Sequence, residues 1–175
     1  DVNSAILDLK IGTVNNKIYL AYIYDEDGNL SDSSDSQLVV LDVTSDIGEE
    51  QTIFKGNMGN IQFDIYNGEN VLLWSFDGKY FSWNGEQVTQ LFEEKLIPES
   101  TSQYFTGENG KQYIGFVKED EKGVNGYLIQ YNTSNKKWEY PVQITETENY
   151  VEQLNSIAWN GKIISVYNLV EANFQ

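Results

Sequence analysis

The last of four similar segments in this chain is Trp159-Asn160-Gly161-Lys162-Ile163-Ile164-Ser165-Val166-Tyr167. In it an Asn-Gly pair leads into an apolar run, the pattern of a tight hairpin turn followed by a β-strand. The earlier segments are Val14-Asn15-Asn16-Lys17-Ile18-Tyr19-Leu20-Ala21-Tyr22, Tyr66-Asn67-Gly68-Glu69-Asn70-Val71-Leu72-Leu73-Trp74 and Glu108-Asn109-Gly110-Lys111-Gln112-Tyr113-Ile114-Gly115-Phe116. The turn asparagines stand at 15, 67, 109 and 160, so the unit recurs after 52, 42 and 51 residues. This spacing indicates a repeat protein.

Turn and strand signals predict up to four antiparallel strands in each repeat unit. The units span about residues 4–56, 57–98, 99–148 and 149–175, and the last is incomplete. The second unit is the clearest, because Asn67-Gly68, Asp77-Gly78 and Asn84-Gly85 separate aromatic runs. No long stretch has the 3.6-residue period of a helix, and only Glu146 to Leu154 could form a short helical turn. We therefore predict one all-β repeat domain over residues 1–175, taken from a larger protein.

Four-stranded antiparallel units at this spacing resemble the blades of a β-propeller, and the chain resembles bacterial β-propeller-type repeat proteins. The Gly-His and Trp-Asp signatures of the WD40 family are absent, and Ser75-Phe76-Asp77-Gly78 has the wrong spacing for the sialidase-type box. The resemblance implies a propeller or partial propeller, and a β-sandwich is the alternative. Three and a half units do not close a ring of about 4 to 8 blades. Open sheet edges would then be available for self-association.

Charge and missing residue types limit the classes of function. The chain has 27 acidic and 11 basic residues, a net charge of −16, and all its basic residues are lysine. Such a chain repels nucleic acid and anionic membranes, and it has no apolar run near the ~18 residues of a membrane span. Without His or Cys, it lacks the usual near-neutral general base and any thiolate nucleophile. We therefore expect no nucleic-acid partner, no membrane insertion and no enzyme activity.

Acidic connections between the second and third strands are the predicted binding surface. Two are long loops, Asp25 to Ser36 and Glu119 to Gly126, and the third is the turn Asp77-Gly78. Variable loops on a rigid scaffold commonly carry function. The candidate binding residues are Asp25, Asp27, Asp32, Asp35, Asp77, Glu119, Asp120 and Glu121.

The first acidic loop also has part of a calcium-binding pattern. Asp25, Asp27 and Asn29 alternate as oxygen ligands, and Gly28 could provide a sharp bend. The positions of two further ligands are occupied by Ile23 and Ser31. Calcium is therefore one hypothesis, and a hairpin loop kept soluble by its charge, with no cofactor, is the other.

Aromatic residues allow two interpretations. Trp74, Trp83, Trp138 and Trp159, with Tyr80, Tyr104 and Tyr113, could stack on sugar rings, but all lie in predicted strands. Packing in the protein core is the expectation that follows from this position.

These observations predict a non-catalytic recognition or scaffold module that binds a protein or a glycan through its acidic loops. One alternative is a fragment of a carboxylate-dependent glycan-active enzyme, and another is a structural spacer or self-assembly domain. Abundant Asn and Lys without Arg favour a bacterial source. The absence of Cys fits exported bacterial proteins and cytosolic proteins alike, and we expect a protein that is secreted or attached to the cell surface.

Overall fold

The computed structural model describes residues 5–26, 36–45, 48–98, 102–108, 110–121, 123–147 and 149–171. Within these ranges all regular elements are β-strands and no helix occurs, which confirms the all-β prediction. The strands form four antiparallel sheets, none of which closes on itself in the described part of the chain. The chain divides into two compact units, residues 1–91 and 92–175.

The first unit contains two four-stranded sheets, each with its strands in chain order. One sheet consists of β1 (Ala5–Val14), β2 (Lys17–Asp25), β3 (Gln37–Asp42) and β4 (Glu50–Lys55). The other consists of β5 (Gly59–Tyr66), β6 (Glu69–Phe76), β7 (Lys79–Trp83) and β8 (Val88–Gln90). These strands confirm the four-stranded patterns that turn chemistry predicts for the first two repeat segments.

The hairpin turns have the backbone geometry that their sequences predict. Asn15 and Asn16 have φ of 49° and 61°, and Asn160 and Gly161 have φ of 50° and 71°. Positive φ at both central residues defines a type I′ turn, whose twist matches that of the strands it joins. Asn84 acts differently. Its side-chain Oδ1 accepts hydrogen bonds from the backbone N–H groups of Glu86 at 3.1 Å and Gln87 at 2.9 Å. The connection between β7 and β8 is therefore longer than the predicted two-residue turn.

Aromatic side chains dominate the core of the first unit. Trp74 is fully buried and stacks on Phe81 with ring centroids 5.8 Å apart. Tyr19 from the first sheet meets Trp83 from the second edge-on at 5.0 Å. A core built from both sheets therefore holds them face to face within this unit.

A polar clip joins the end of β3 to the start of β2. Lys17 Nζ donates to Asp42 Oδ2 at 2.8 Å, and Thr44 donates to Asp42 Oδ1 from its hydroxyl and its backbone N–H. The hydrogen bond from Lys17, followed by those from Thr44, lowers the pKa of Asp42 from 3.8 to about 2. The fold therefore stabilises the ionised form of the Asp42 carboxylate.

Asp42→Asn is expected to make the chain less sensitive to acid. The folded pKa lies below the unfolded pKa, so Asp42 stabilises the fold above about pH 4 and loses this contribution as pH falls toward about 2. Urea unfolding across this window should show a steeper loss of stability for the wild type than for the variant. Glu69→Gln controls for the loss of one exposed charge in the same unit. Parallel stability curves for wild type and Asp42→Asn would contradict the assignment.

The second unit contains a five-stranded sheet and a two-stranded hairpin. The sheet has β9 (Ser102–Thr106), β10 (Gln112–Asp120), β11 (Gly123–Asn132), β12 (Lys137–Trp138) and β13 (Val142–Gln143). Both β12 and β13 pair with β11. The hairpin consists of β14 (Tyr150–Trp159) and β15 (Lys162–Val170).

Strand β14 attaches the hairpin to the larger sheet. Val151 and Leu154 are buried and pack with Val117 of β10. The backbone N–H of Ser156 donates to Gln103 Oε1 of β9 at 2.8 Å. Gly126 lies under the same packing, since a Cβ at its position would be 3.2 Å from Thr145 Cγ2 and 3.4 Å from Leu154 Cδ1.

Three sequence predictions for the second unit are wrong in detail. The predicted loop Glu119–Gly126 is mostly strand, since β10 and β11 pair as far as Asp120 and Gly123. The β-rich run Trp138–Ile144, which the sequence predicts as the last strand of the third repeat unit, instead contributes to two short strands with Pro141 between them, because proline has no N–H for the ladder. Among the described residues of Glu146–Leu154 no helical turn occurs, and Tyr150 already begins β14.

Candidate functional site

The predicted acidic binding residues fall into separate groups. Asp25 and Asp77 belong to the first unit, where Asp25 ends β2 and Asp77, with φ of 49°, opens the turn between β6 and β7. Glu119, Asp120 and Glu121 lie together at the end of the β10–β11 hairpin in the second unit. The other candidates, Asp27, Asp32 and Asp35, lie outside the described residues.

Asp25 is a buried carboxylate with few partners. Its side chain is fully buried, and Ser36 Oγ donates to Oδ2 at 3.1 Å. Oδ1 has no hydrogen-bond partner among the described residues. A buried polar atom without a partner is costly, so a hydrogen-bond donor or a cation next to Oδ1 of Asp25 would stabilise the fold.

The calcium hypothesis stays a prediction. Of its three residues, Asp25 is described, whereas Asp27 and Asn29 lie outside the described residues. Among the described side chains, no three Asp, Glu, His or Cys residues cluster as metal ligands would.

The acidic end of the β10–β11 hairpin is held by hydrogen bonds. The Tyr127 hydroxyl donates to Asp120 Oδ2, and this bond raises the pKa of Tyr127. Buried Asn125 accepts hydrogen bonds from the Thr145 hydroxyl at 3.1 Å and from the backbone N–H of Thr147 at 3.2 Å. The hairpin therefore continues to its tip, and Glu119 and Glu121 stay exposed there.

A cleft in the second unit brings two lysines together, a site that the sequence interpretation missed. It has a volume of about 180 Å³ and lies between the β9–β10 connection and the β14–β15 turn. Lys111, Lys162, Glu108 and Tyr113 contribute to its lining. Burial raises the pKa of Tyr113, so its hydroxyl remains a hydrogen-bond donor.

Two ammonium groups beside a tyrosine can bind a carboxylate-bearing ligand by charge-assisted hydrogen bonds. The chain has only 11 basic residues against 27 acidic ones, so a cleft lined by two lysines and one glutamate, Glu108, departs from the charge balance of the whole chain. The available sequence signal was the repeated Asn-Gly-Lys, at residues 109–111 and 160–162. It was interpreted only as hairpin chemistry, because sequence spacing does not show that the two turns are neighbours.

The aromatic residues are divided between core and surface. Trp74, Trp83, Tyr80, Tyr104 and Tyr113 are buried, which confirms their predicted packing role. Trp138 is half-buried and meets Tyr131 edge-on at 5.4 Å. Trp159 is the exception, since 59% of it is exposed.

Within the ranges that the structure describes, no helix has the length and apolar character needed to cross a membrane. No protein-family model, curated protein or solved structure matches the chain.

Proposed function

We propose that this chain is a non-catalytic recognition or scaffold module of a secreted or surface-attached bacterial protein. Its partner is a protein or a glycan that carries carboxylates, and the cleft lined by Lys111 and Lys162 is where those carboxylates bind. The acidic residues at other strand ends, Asp25, Asp77 and Glu119 to Glu121, are the candidates for contacts with cationic groups of a partner.

The proposal includes a propeller-like blade for each repeat segment. Two four-stranded sheets with strands in chain order and a five-stranded sheet support this interpretation. So do the tight turns at Asn15, Asn67 and Asn160, which open the second strand of three segments. A β-sandwich is the competing arrangement of the same sheets.

The cleft is the observation that carries the proposed function. A concave site with a few converging polar groups is the usual form of a small-ligand site. Here the polar side chains of the lining are Lys111, Lys162, Glu108 and Tyr113, and the two lysines suit a carboxylate. A sugar acid fits this chemistry, because its carboxylate can meet the ammonium groups of the two lysines.

Binding to a glycan array tests the proposal. The wild type is expected to bind glycans that contain uronic acid or sialic acid more strongly than neutral glycans. Lys111→Gln/Lys162→Gln should lower this affinity at least about tenfold, since a hydrogen bond to a charged group contributes about 1.5 to 3 kcal/mol. Lys118→Gln/Lys137→Gln removes the same charge from exposed positions of the same unit and should retain binding.

Two outcomes would contradict the cleft as the binding site. The first is an equal loss of glycan binding in the two double-lysine variants, which would mean that net charge alone governs binding. The second is a loss of binding on Glu119→Gln/Glu121→Gln with no effect of Lys111→Gln/Lys162→Gln. That result would assign recognition to the acidic hairpin end instead.

A further inference from the structure

Strand β15 has apolar side chains on both faces, and most of them are exposed. The exposed residues are Ile163, Ile164, Val166, Tyr167, Leu169 and Val170, with Val166 66% and Leu169 50% exposed. In the other three repeat segments the second strands, β2, β6 and β10, have runs of consecutive buried residues, as at Val71 to Trp74. Consecutive apolar residues are typical of a strand that other protein covers on both faces. The exposed apolar side chains of β15 are therefore typical of a strand that packs against another protein chain.

The free edge of β15 can accept another strand. Among the described strands, β15 pairs only with β14, whereas the other sheets have four or five strands. An isolated two-stranded hairpin is marginally stable, and its unpaired N–H and C=O groups are a template for pairing.

The other sheet edges in the described part of the chain are protected against such pairing. Strands β1, β5 and β14 have bulges in their ladders, and β1 also carries the Asp8–Lys10 ion pair. Strand β4 has charged residues at both ends, and β8, β9, β12 and β13 have at most five residues. Bulges, charges and short strands are the usual protections of an edge. Strand β15 has nine residues and a single charged residue, Lys162.

We propose that β15 pairs antiparallel with β15 of a second copy of this chain, about a two-fold axis at Val166. The type I′ turn at Asn160-Gly161 makes Trp159 and Lys162 the first hydrogen-bonded pair of the hairpin. Alternation along the strand then directs the N–H and C=O groups of Ile163, Ser165, Tyr167 and Leu169 toward the free edge. An axis at Val166 places Ile163 opposite Leu169 and Ser165 opposite Tyr167 of the second copy, so all four residues pair.

Two features favour a second copy as the occupant. The combined sheet has four strands, β14–β15 from each copy, which equals the size of both sheets in the first unit. In this register Ile163 faces Leu169 of the second copy and the two Val166 side chains face each other, so apolar cross-strand pairs form along the contact and no like charges stand opposite each other. The net charge of −16 opposes association, and salt, which screens that repulsion, should strengthen it.

Sedimentation of the full chain over a range of protein and salt concentrations tests the proposal. The expected species is a dimer whose affinity rises with salt. Val166→Lys brings two ammonium groups together at the axis and should weaken the dimer at least tenfold. The matched control is Ile11→Lys, which adds the same charge at a side chain that is 68% exposed on the protected strand β1. Circular dichroism checks that both variants keep the β fold.

Cross-linking tests the register independently of any effect on stability. The chain has no cysteine, so Val166→Cys introduces one thiol, and two copies should form a disulfide across the axis. In the Ile164→Cys dimer, position 164 of one copy lies opposite position 168 of the other, four residues from the second thiol. The two thiols are then about 13 Å apart, too far for a disulfide. Mild oxidation should therefore cross-link Val166→Cys efficiently and Ile164→Cys weakly.

The proposal predicts a specific combination of results, and each departure overturns it. If the chain is monomeric at every protein and salt concentration, a second copy is not the partner of β15, and the partner would be a different protein. A dimer that Ile11→Lys weakens and Val166→Lys does not would place the contact on β1. Equal cross-linking of the two cysteine variants would exclude the register centred on Val166. Val166 does not line the lysine cleft, so the glycan binding of Val166→Lys can be measured separately from its effect on the dimer.

Discussion

Trp74→Ala is expected to lower the free energy of unfolding by about 3 to 5 kcal/mol, the range for truncating a fully buried tryptophan. Trp74 has 0% exposure and contacts Phe54 edge-on as well as stacking on Phe81. Phe54 belongs to the first sheet and Phe81 to the second. Removing the indole leaves a cavity between the two sheets, and both aromatic contacts are lost.

Urea unfolding followed by far-ultraviolet circular dichroism measures the effect of Trp74→Ala without relying on tryptophan emission. A domain of ordinary stability has about 5 to 15 kcal/mol in total, so the variant could be largely unfolded at 37 °C. Ile65→Ala is the control in the same unit, because its side chain is 45% exposed and its truncation should cost below about 1 kcal/mol. A similar loss in both variants would contradict the central position of Trp74 in the core.

Gly12→Ala is expected to destabilise the first unit by about 1 to 3 kcal/mol or more, through overpacking. A Cβ on Gly12 would lie 2.2 Å from Cγ of Phe63. A shift of Phe63 by a few tenths of an ångström would not relieve this clash. Gly12 is in β1 and Phe63 in β5, so the clash would push the two sheets apart. Gly59→Ala is the matched control, since its Cβ would meet only Ser75 Oγ at 3.8 Å.

A double-mutant cycle identifies the cause of the Gly12 effect. Phe63→Ala removes the Cγ and Cδ2 atoms that the new methyl group meets and leaves only the Cβ of residue 63, so Gly12→Ala should cost less in the Phe63→Ala background than in the wild type. The expected coupling energy lies within the ~0.5 to 3 kcal/mol seen for residues in contact. Additive costs would show that the Gly12 effect comes from the backbone and not from Phe63.

The sequence predicted the strands best where turn chemistry is explicit. The turns at Asn67-Gly68 and Asp77-Gly78 and the strands beside them agree closely with the structure. Boundaries were wrong where charge resembled a loop, as at Glu119 and Asp120, because the exposed part of a strand also accommodates carboxylates. Asn125, with its buried hydrogen bonds to Thr145 and Thr147, is part of what extends that hairpin. Those partners are about 20 residues away, so no local pattern showed them.

The candidate site was less predictable than the fold. Sequence reasoning selected acidic residues by composition, and those described lie in both units, on separate connections. The cleft depends on Lys111 and Lys162, which are 51 residues apart and line the same cleft because β14 packs on the sheet of β9 and β10. Only packing between sheets could bring these two lysines together.

The sequence alone determined the all-β class, the hairpins and their repetition, because a type I′ turn and alternating apolar residues depend on neighbours a few residues away. Tertiary structure decided burial. Trp74 and Trp159 occupy similar sequence contexts in apolar strands, yet Trp74 is covered by a second sheet and Trp159 is exposed. Burial depends on what lies above a strand, and strands distant in sequence provide that cover.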